Sequence, residues 1–312
     1  MLKLYSCELG KTALSLLKPG VCGQVLAGFS RAAYLLTEQQ ELLWLVCENA
    51  PMHLRAMRIA GSFPKIAAGE KFFYDGKCIR ISPEFKVSFG DASIWTVPVV
   101  AAETVLEMKK IPLGVKNLFR NSFDLSQASG LGRLIPKILS LAFGRLEQEA
   151  ETDPVLAFAW PAIHKIANAC LSRDMPGLLQ QADALVGLGE GLTPSGDDFL
   201  GGLLFCINTI QRLYPGFIYP DSSAQAAFVE SARKKTHLIS FTLLKDLADG
   251  QGVEPLHGLI RSILNDQAAE SIRTASCLTR IGHSTGWDLL AGALTGLLLT
   301  FRSLDTNVSL AV

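Results

Sequence analysis

Residues 187–204 read Gly187-Leu188-Gly189-Glu190-Gly191-Leu192-Thr193-Pro194-Ser195-Gly196-Asp197-Asp198-Phe199-Leu200-Gly201-Gly202-Leu203-Leu204. Three glycines at alternate positions lead into a hydroxyl, a glycine and two aspartates, after which the run is apolar on nearly every helical face. The pattern predicts a loop feeding the N-terminus of a buried helix over residues 197–211. Glycine costs about 1 kcal/mol in a helix interior. Gly201 and Gly202 therefore imply that another backbone, or a ligand, comes closer than a Cβ permits.

The stretch has an echo 90 residues on. Thr285-Gly286-Trp287-Asp288-Leu289-Leu290-Ala291-Gly292-Ala293-Leu294 repeats the Gly, Asp, Leu, Gly and Leu of Ser195-Gly196-Asp197-Asp198-Phe199-Leu200-Gly201-Gly202-Leu203-Leu204, and Gly282-His283-Ser284 precedes it. A second buried helix, with Gly292 and Gly296, is expected over residues 286–303. In each copy the hydroxyl of Ser195 or Thr285 is placed to cap its helix, with Asp198 or Asp288 reaching back as a shortened capping box. Plain caps do not need so much glycine. A glycine-rich approach turns backbone N–H groups into a common concavity at the positive end of a helix dipole, which suits a phosphate or a carboxylate.

Working outward, the first hundred residues carry short strand-like runs at 24–29, 42–47, 54–59, 71–74, 78–81, 85–88 and 93–99. Turn signals Asp75-Gly76, Ser82-Pro83 and Gly90-Asp91 bound them. The remainder has helical spacing, with helices expected over 131–152, 154–169, 175–185, 224–248, 255–265 and 270–278 in addition to the two glycine helices. The fold class expected is α+β: an antiparallel β-rich domain over 1–120, then a mostly α-helical domain over 121–312 with two buried glycine-containing helices.

Composition narrows the function. Lys+Arg and Asp+Glu are 29 each, leaving a net charge of +0, and 49% of residues are apolar against 19% charged. Nothing in that balance holds a phosphate backbone or an anionic bilayer, so neither nucleic acid nor membrane is an expected partner. The mean hydropathy is +0.28, yet the longest mainly apolar stretch, 289–301, falls short of the roughly 20 residues a bilayer requires. Met1–Cys7 carries no secretory leader pattern, which makes the cytoplasm the expected compartment. Seven scattered cysteines without a Cys-x-x-Cys pair read as reduced packing residues.

The candidate site comprises Gly189, Gly191, Thr193, Ser195, Gly196, Asp197, Ser284, Thr285 and Gly286 as an anion cradle, with Asp198, Asp288 and His283 as candidate catalytic groups. His283 is suited to donate to a ligand oxygen or transfer a proton near neutral pH, or is a solvent-facing or capping histidine. Arg280 is close enough in sequence to grip a bound anion. Thr236 and Ser240, four apart, share one face of the helix expected at 224–248. Asp197 and Asp198 offer oxygen ligands for Mg²⁺, although one is already accounted for as a cap. Neither a P-loop, a dinucleotide fingerprint nor a Gly-x-Ser-x-Gly elbow is present.

The run 187–202 resembles the signature of a bacterial family that includes the AllH-type subunit of oxamate carbamoyltransferase. Weaker resemblance extends over Lys235-Thr236-His237-Leu238-Ile239-Ser240 and Gly282-His283-Ser284-Thr285-Gly286-Trp287-Asp288. The resemblance implies a place in anaerobic allantoin and purine breakdown, where oxalurate and phosphate become oxamate and carbamoyl phosphate, and where several subunits share the reaction. Its implied ligands are phosphate, oxamate and carbamoyl phosphate, and its implied partners are the other subunits. Three alternatives remain open: a non-catalytic assembly subunit, a carboxyl-transferring relative (carboxyphosphate has nearly the shape of carbamoyl phosphate), and a magnesium-dependent phosphohydrolase.

Overall fold

The computed structural model describes residues 2–82, 85–98, 110–120, 123–143, 152–215 and 222–304. The chain separates into two compact units, Met1–Val99 and Val100–Val312. The α+β class is as expected: strands fill the first unit and helices the second.

The first unit holds β1 (Leu2–Gly10), a short helix α1 (Lys11–Leu16), β2 (Cys22–Gly28), β3 (Ala32–Thr37), β4 (Leu42–Cys47), β5 (Ala56–Ile59), β6 (Lys71–Tyr74), β7 (Cys78–Ile81), β8 (Phe85–Ser88) and β9 (Ser93–Trp95). They follow one another in the order β5-β4-β3-β2-β6-β7-β8-β1-β9, and β1 also pairs with β5, so the sheet closes into a barrel with β9 alongside β1. Antiparallel pairing predominates, as expected, while β1–β8, β1–β9 and β4–β5 are parallel. Alternate residues fill the interior, among them Leu35, Leu43, Leu45, Met57, Ile79 and Val87, as the two-residue period of a strand requires. The Asp75-Gly76 hairpin forms: Asp75 Oδ1 accepts from the N–H groups of Lys77 and Cys78, at 2.9 and 2.8 Å. Those bonds and Arg80 lower its pKa to about 2. Pro83 and Glu84, part of another expected turn, lie outside the described residues.

The second unit contains α2 (Lys110–Arg120), a 3₁₀ turn (Gly130–Leu134), α3 (Ile135–Ala142), α4 (Pro154–Ser172), α5 (Met175–Ala182), a 3₁₀ turn (Asp183–Leu185), α6 (Ser195–Leu213), α7 (Ser222–Ala232), α8 (Leu238–Ala248), α9 (Glu254–Leu264), α10 (Ala268–Leu278), α11 (Thr285–Leu297) and a 3₁₀ turn (Leu298–Leu304). Helix α2 clusters with this unit, on the near side of the division expected at 120/121. The expected helix at 131–152 is a 3₁₀ turn followed by α3, and residues 144–151 lie outside the described residues. The single helix expected at 224–248 is two helices. It breaks at 233–237, and the Thr236 hydroxyl within the break bonds Asp197.

Helices α6 and α11 form the centre. They run side by side in the same direction, and their glycines make this possible. A Cβ on Gly202 would overlap the Leu289 carbonyl oxygen, and one on Gly292 would overlap that of Phe199. The two contacts are mirror positions of the repeat, 199 and 202 against 289 and 292. The sequence echo is thus a structural pair related by an approximate two-fold axis between the helices, with Phe199, Leu203, Leu289 and Ala293 buried where the two backbones meet.

Candidate functional site

Two helices that start together and run in parallel bring their N-termini together, and here the loops ahead of them touch. Thr193 Oγ1 lies 3.1 Å from Thr285 Oγ1, and Ser195 Oγ lies 3.3 Å from Ser284 Oγ. The expected capping role is corrected by this arrangement. The N-cap residues are Pro194 and Ser284, neither with a side-chain cap bond, because the hydroxyls of Ser195 and Thr285 reach across to the opposite copy.

Beneath the hydroxyls sit the paired aspartates. Asp198 on α6 takes hydrogen bonds from Thr285 and Thr193, and Asp288 on α11 takes them from Ser284 and Ser195. Each carboxyl is thus held by one hydroxyl from its own loop and one from the other. Asp288 also accepts the backbone N–H groups of Leu131, at 2.6 Å, and Gly132. The two are 3% and 0% exposed, and among the described residues Oδ2 of each has no hydrogen-bond partner. Burial, reinforced by the nearby charge of Asp288, holds Asp198 well above the ordinary carboxylate range. Burial alone lifts Asp288, and its hydrogen bonds restrain it at about 6.

Asp197 does something different. Its Oδ1 accepts the Gly187 N–H at 2.8 Å, and its Oδ2 accepts the Ser240 hydroxyl at 2.7 Å together with that of Thr236. Thr236 and Ser240 therefore converge as their spacing implied, but on Asp197. The buried carboxylate ties the glycine loop to the start of α8. With three hydrogen bonds already made, Asp197 is poorly suited to ligate Mg²⁺. Among the described residues no group of three or more His, Cys, Asp and Glu is placed to hold a metal.

The loop backbone divides into used and unused donors. The Gly196 N–H donates to Leu188 and that of Gly286 to Ile281, at 2.8 and 3.0 Å. These two glycines are packing residues, since a Cβ on either would overlap the carbonyl oxygen of Leu185 or Leu278. Among the described residues, the N–H groups of Glu190, Gly191, Leu192, Thr193 and Ser195, and those of Gly282 to Thr285, make no intramolecular bond. Gly187, Gly189 and Gly191 all have positive φ, at 75, 112 and 93°, in the alternation from which anion-binding nests are built. The first loop is the longer, with Gly189–Pro194 standing where the second has Gly282–Ser284.

His283 is exposed beside the tip, and its carbonyl accepts the Ser129 hydroxyl at 2.9 Å. Arg280 is exposed and lines a groove of about 360 Å³ with Phe123, Asp124, Gln127, Ser276 and Trp287, a lining that includes none of the tip hydroxyls. Ser129, Leu131 and Gly132 were not singled out in the sequence. The Ser129-Gly130-Leu131-Gly132 run at the start of the helix expected over 131–152 was the one available signal.

Residues 185–297 match the family model of the oxamate carbamoyltransferase subunit AllH. The match runs from the residue whose carbonyl packs on Gly196 to the last residue of α11, so both copies fall inside it and the barrel lies outside. A family described as one subunit of an enzyme implies companion chains. No solved structure matches this chain. Among the described residues no helix is long and apolar enough to cross a membrane.

Proposed function

We propose that this chain is a cytoplasmic subunit of a carbamoyl-transfer system of the oxamate carbamoyltransferase kind, serving allantoin and purine breakdown together with companion subunits. The joined tips of α6 and α11 hold its small anionic substrate: phosphate, oxamate, oxalurate or carbamoyl phosphate. One observation carries the reading. Two parallel helix N-termini meet under two loops whose amides make no intramolecular bond among the described residues, inside the segment that matches the family. Helix N-termini and backbone nests favour anions, and such donors stabilise charge on a transferring group without a covalent intermediate.

The test is calorimetric titration of the full chain with inorganic phosphate and with oxamate, using Gly191→Val as control. Nothing lies within 4 Å of a Cβ built at Gly191, while its φ of 93° is one a branched side chain rejects. The substitution should disturb the loop alone. Binding by the wild type, weakened about tenfold or more (1.4 kcal/mol) in a variant that still unfolds cooperatively within several degrees of the wild type, about what one to two kcal/mol of local backbone strain costs, is the expected result. Absence of binding to the wild type refutes the anion site.

A second reading, a non-catalytic assembly subunit, draws on the glycines. Gly196, Gly202, Gly286 and Gly292 are all accounted for by backbone contact, and a pure packing role asks no more of them. It leaves the unbonded loop amides unexplained, and the same titration separates the two.

A further inference from the structure

An anion cradle needs amides and hydroxyls; it does not need two buried carboxyls, so Asp198 and Asp288 call for a separate account. The charged groups acting on Asp198 are Asp288 of α11 and Asp197 of its own helix, both negative. Two neighbouring carboxylates shut away from water do not both ionise. The hydrogen bonds decide which keeps the proton. Asp288 receives two backbone N–H donors, Leu131 and Gly132, which can only donate and so favour an ionised acceptor. Asp198 is met by the hydroxyls of Thr193 and Thr285, which can equally accept. Those hydroxyls lie 3.1 Å apart and are partly exposed. They therefore join the buried acid to the loops' outer face.

We infer that Asp198 is a neutral acid that supplies the proton taken up by the leaving group of the transfer reaction, handing it outward through the Thr193–Thr285 hydroxyl pair. The inference rests on the reading given under Proposed function. In the step it describes, an oxygen of hydrogen phosphate bonds to the carbamoyl carbon of oxalurate. The bond from that carbon to the oxamate nitrogen breaks, its electron pair going to nitrogen. Nitrogen takes the proton of the hydroxyl it faces, and Asp198 replaces that proton. The proton lost by phosphate returns along the same hydroxyls, restoring the acid. This moves the acid role from the exposed His283 to the interior, with Asp288 as the charged partner that keeps Asp198 protonated.

The experiment measures carbamoyl phosphate formation by the complete multi-subunit enzyme carrying this chain as wild type, Asp198→Asn, Thr285→Val or Thr285→Ser. Phosphate binding by the full chain alone is titrated in parallel. Asp198→Asn should lower kcat about 100-fold or more, the usual worth of a general acid. It should leave phosphate affinity unchanged and abolish the loss of rate on the alkaline side of the pH profile. Thr285→Val should lower kcat in the same way, with Thr285→Ser restoring it. Should Asp198→Asn not fold, the valine and serine pair decides, since a structural role at Thr285 would not be rescued in kcat by returning a hydroxyl alone. An Asp198→Asn enzyme with wild-type kcat and pH profile overturns the inference while leaving the anion site standing. A wild-type chain that binds no phosphate overturns both.

Discussion

Gly292→Ala sets two physical effects against each other with opposite signs. Helix propensity alone makes alanine better than glycine by about 1 kcal/mol. The packing says otherwise. A Cβ at 292 overlaps the Phe199 carbonyl oxygen and comes within 2.9 Å of the Leu203 nitrogen, both backbone atoms of α6 that cannot rotate aside. The helices must part by on the order of 1 Å, and a gap of that size forfeits a quarter to a half of each dispersion contact along the seam. Overpacking of this kind costs about 3 kcal/mol at its upper range, which leaves a net loss of about 2 kcal/mol after the propensity gain. In a unit of this size each kcal/mol shifts the midpoint by about 2–4 °C, so the melting temperature should fall by about 4–8 °C. Circular dichroism at the helical band during heating measures it, with Gly201→Ala as control. There the three atoms nearest the added methyl all belong to the Leu247 side chain, the nearest being its terminal Cδ1 rather than backbone, and the change should stay within about 1 kcal/mol. A Gly292→Ala chain as stable as the wild type, or more so, refutes the view that α6 and α11 touch backbone to backbone.

Two further expectations concern the carboxyls. Asp288 titrates at about 6 in the fold against 3.8 ordinarily, so the fold prefers its protonated form. The associated stability is complete below about pH 4 and is lost as pH rises through about 6, on the order of 3 kcal/mol for two pKa units. Asp288→Asn should flatten the dependence of the urea midpoint on pH across that window, and a variant with the wild-type slope contradicts the assignment. Asp197→Ala strips the acceptor from the Gly187 N–H and from the hydroxyls of Thr236 and Ser240, at about 3 kcal/mol. It should also speed cleavage after the exposed Glu190 by a glutamate-specific protease; equal cleavage rates and equal stability would show that Asp197 does not fasten the loop.

Much of the fold was legible because the sequence punctuates it. The strands at Leu42–Cys47, Lys71–Tyr74, Cys78–Ile81 and Phe85–Ser88 have the expected bounds, each a β-branched, aromatic or aliphatic run stopped by polar or turn residues. Strand β1 went unread because its alternation is broken by a bulge between Ser6 and Glu8, and β3 because it opens on two alanines. Helix α2 was hidden by Pro112 and Gly114. The second lets the Ile263 carbonyl approach. At the site, the echo of 195–204 in 285–294 announced the helix pair. It did not announce the swapped hydroxyls, since a serine or threonine at a helix start looks the same in sequence whether it caps its own amides or reaches to another helix. The contact of Asp288 with Leu131 spans 157 positions, and no local pattern encodes a pairing at that range.

The charge balance at the tip explains why an anion site would carry acids at all. Each helix N-terminus contributes roughly half a positive charge, so two parallel helices pool about one. An ionised Asp288, held by the amides of Leu131 and Gly132, cancels it. Asp197 adds a second negative charge, held by the Gly187 N–H and the hydroxyls of Thr236 and Ser240, so with Asp198 neutral the tip keeps about one net negative charge and takes up a phosphate by the direction of its outward-facing donors. Were Asp198 and Asp288 both ionised, the tip would carry about two negative charges and repel more strongly the ligand its amides are arranged to hold. Were both replaced by apolar residues, the pooled dipole would stand uncompensated against the helix seam, and the hydroxyls of Thr193, Ser195, Ser284 and Thr285 would lose the acceptors that fix them. One proton shared between two carboxyls meets both demands, so on the proposed reading the anion and that proton occupy the tip together.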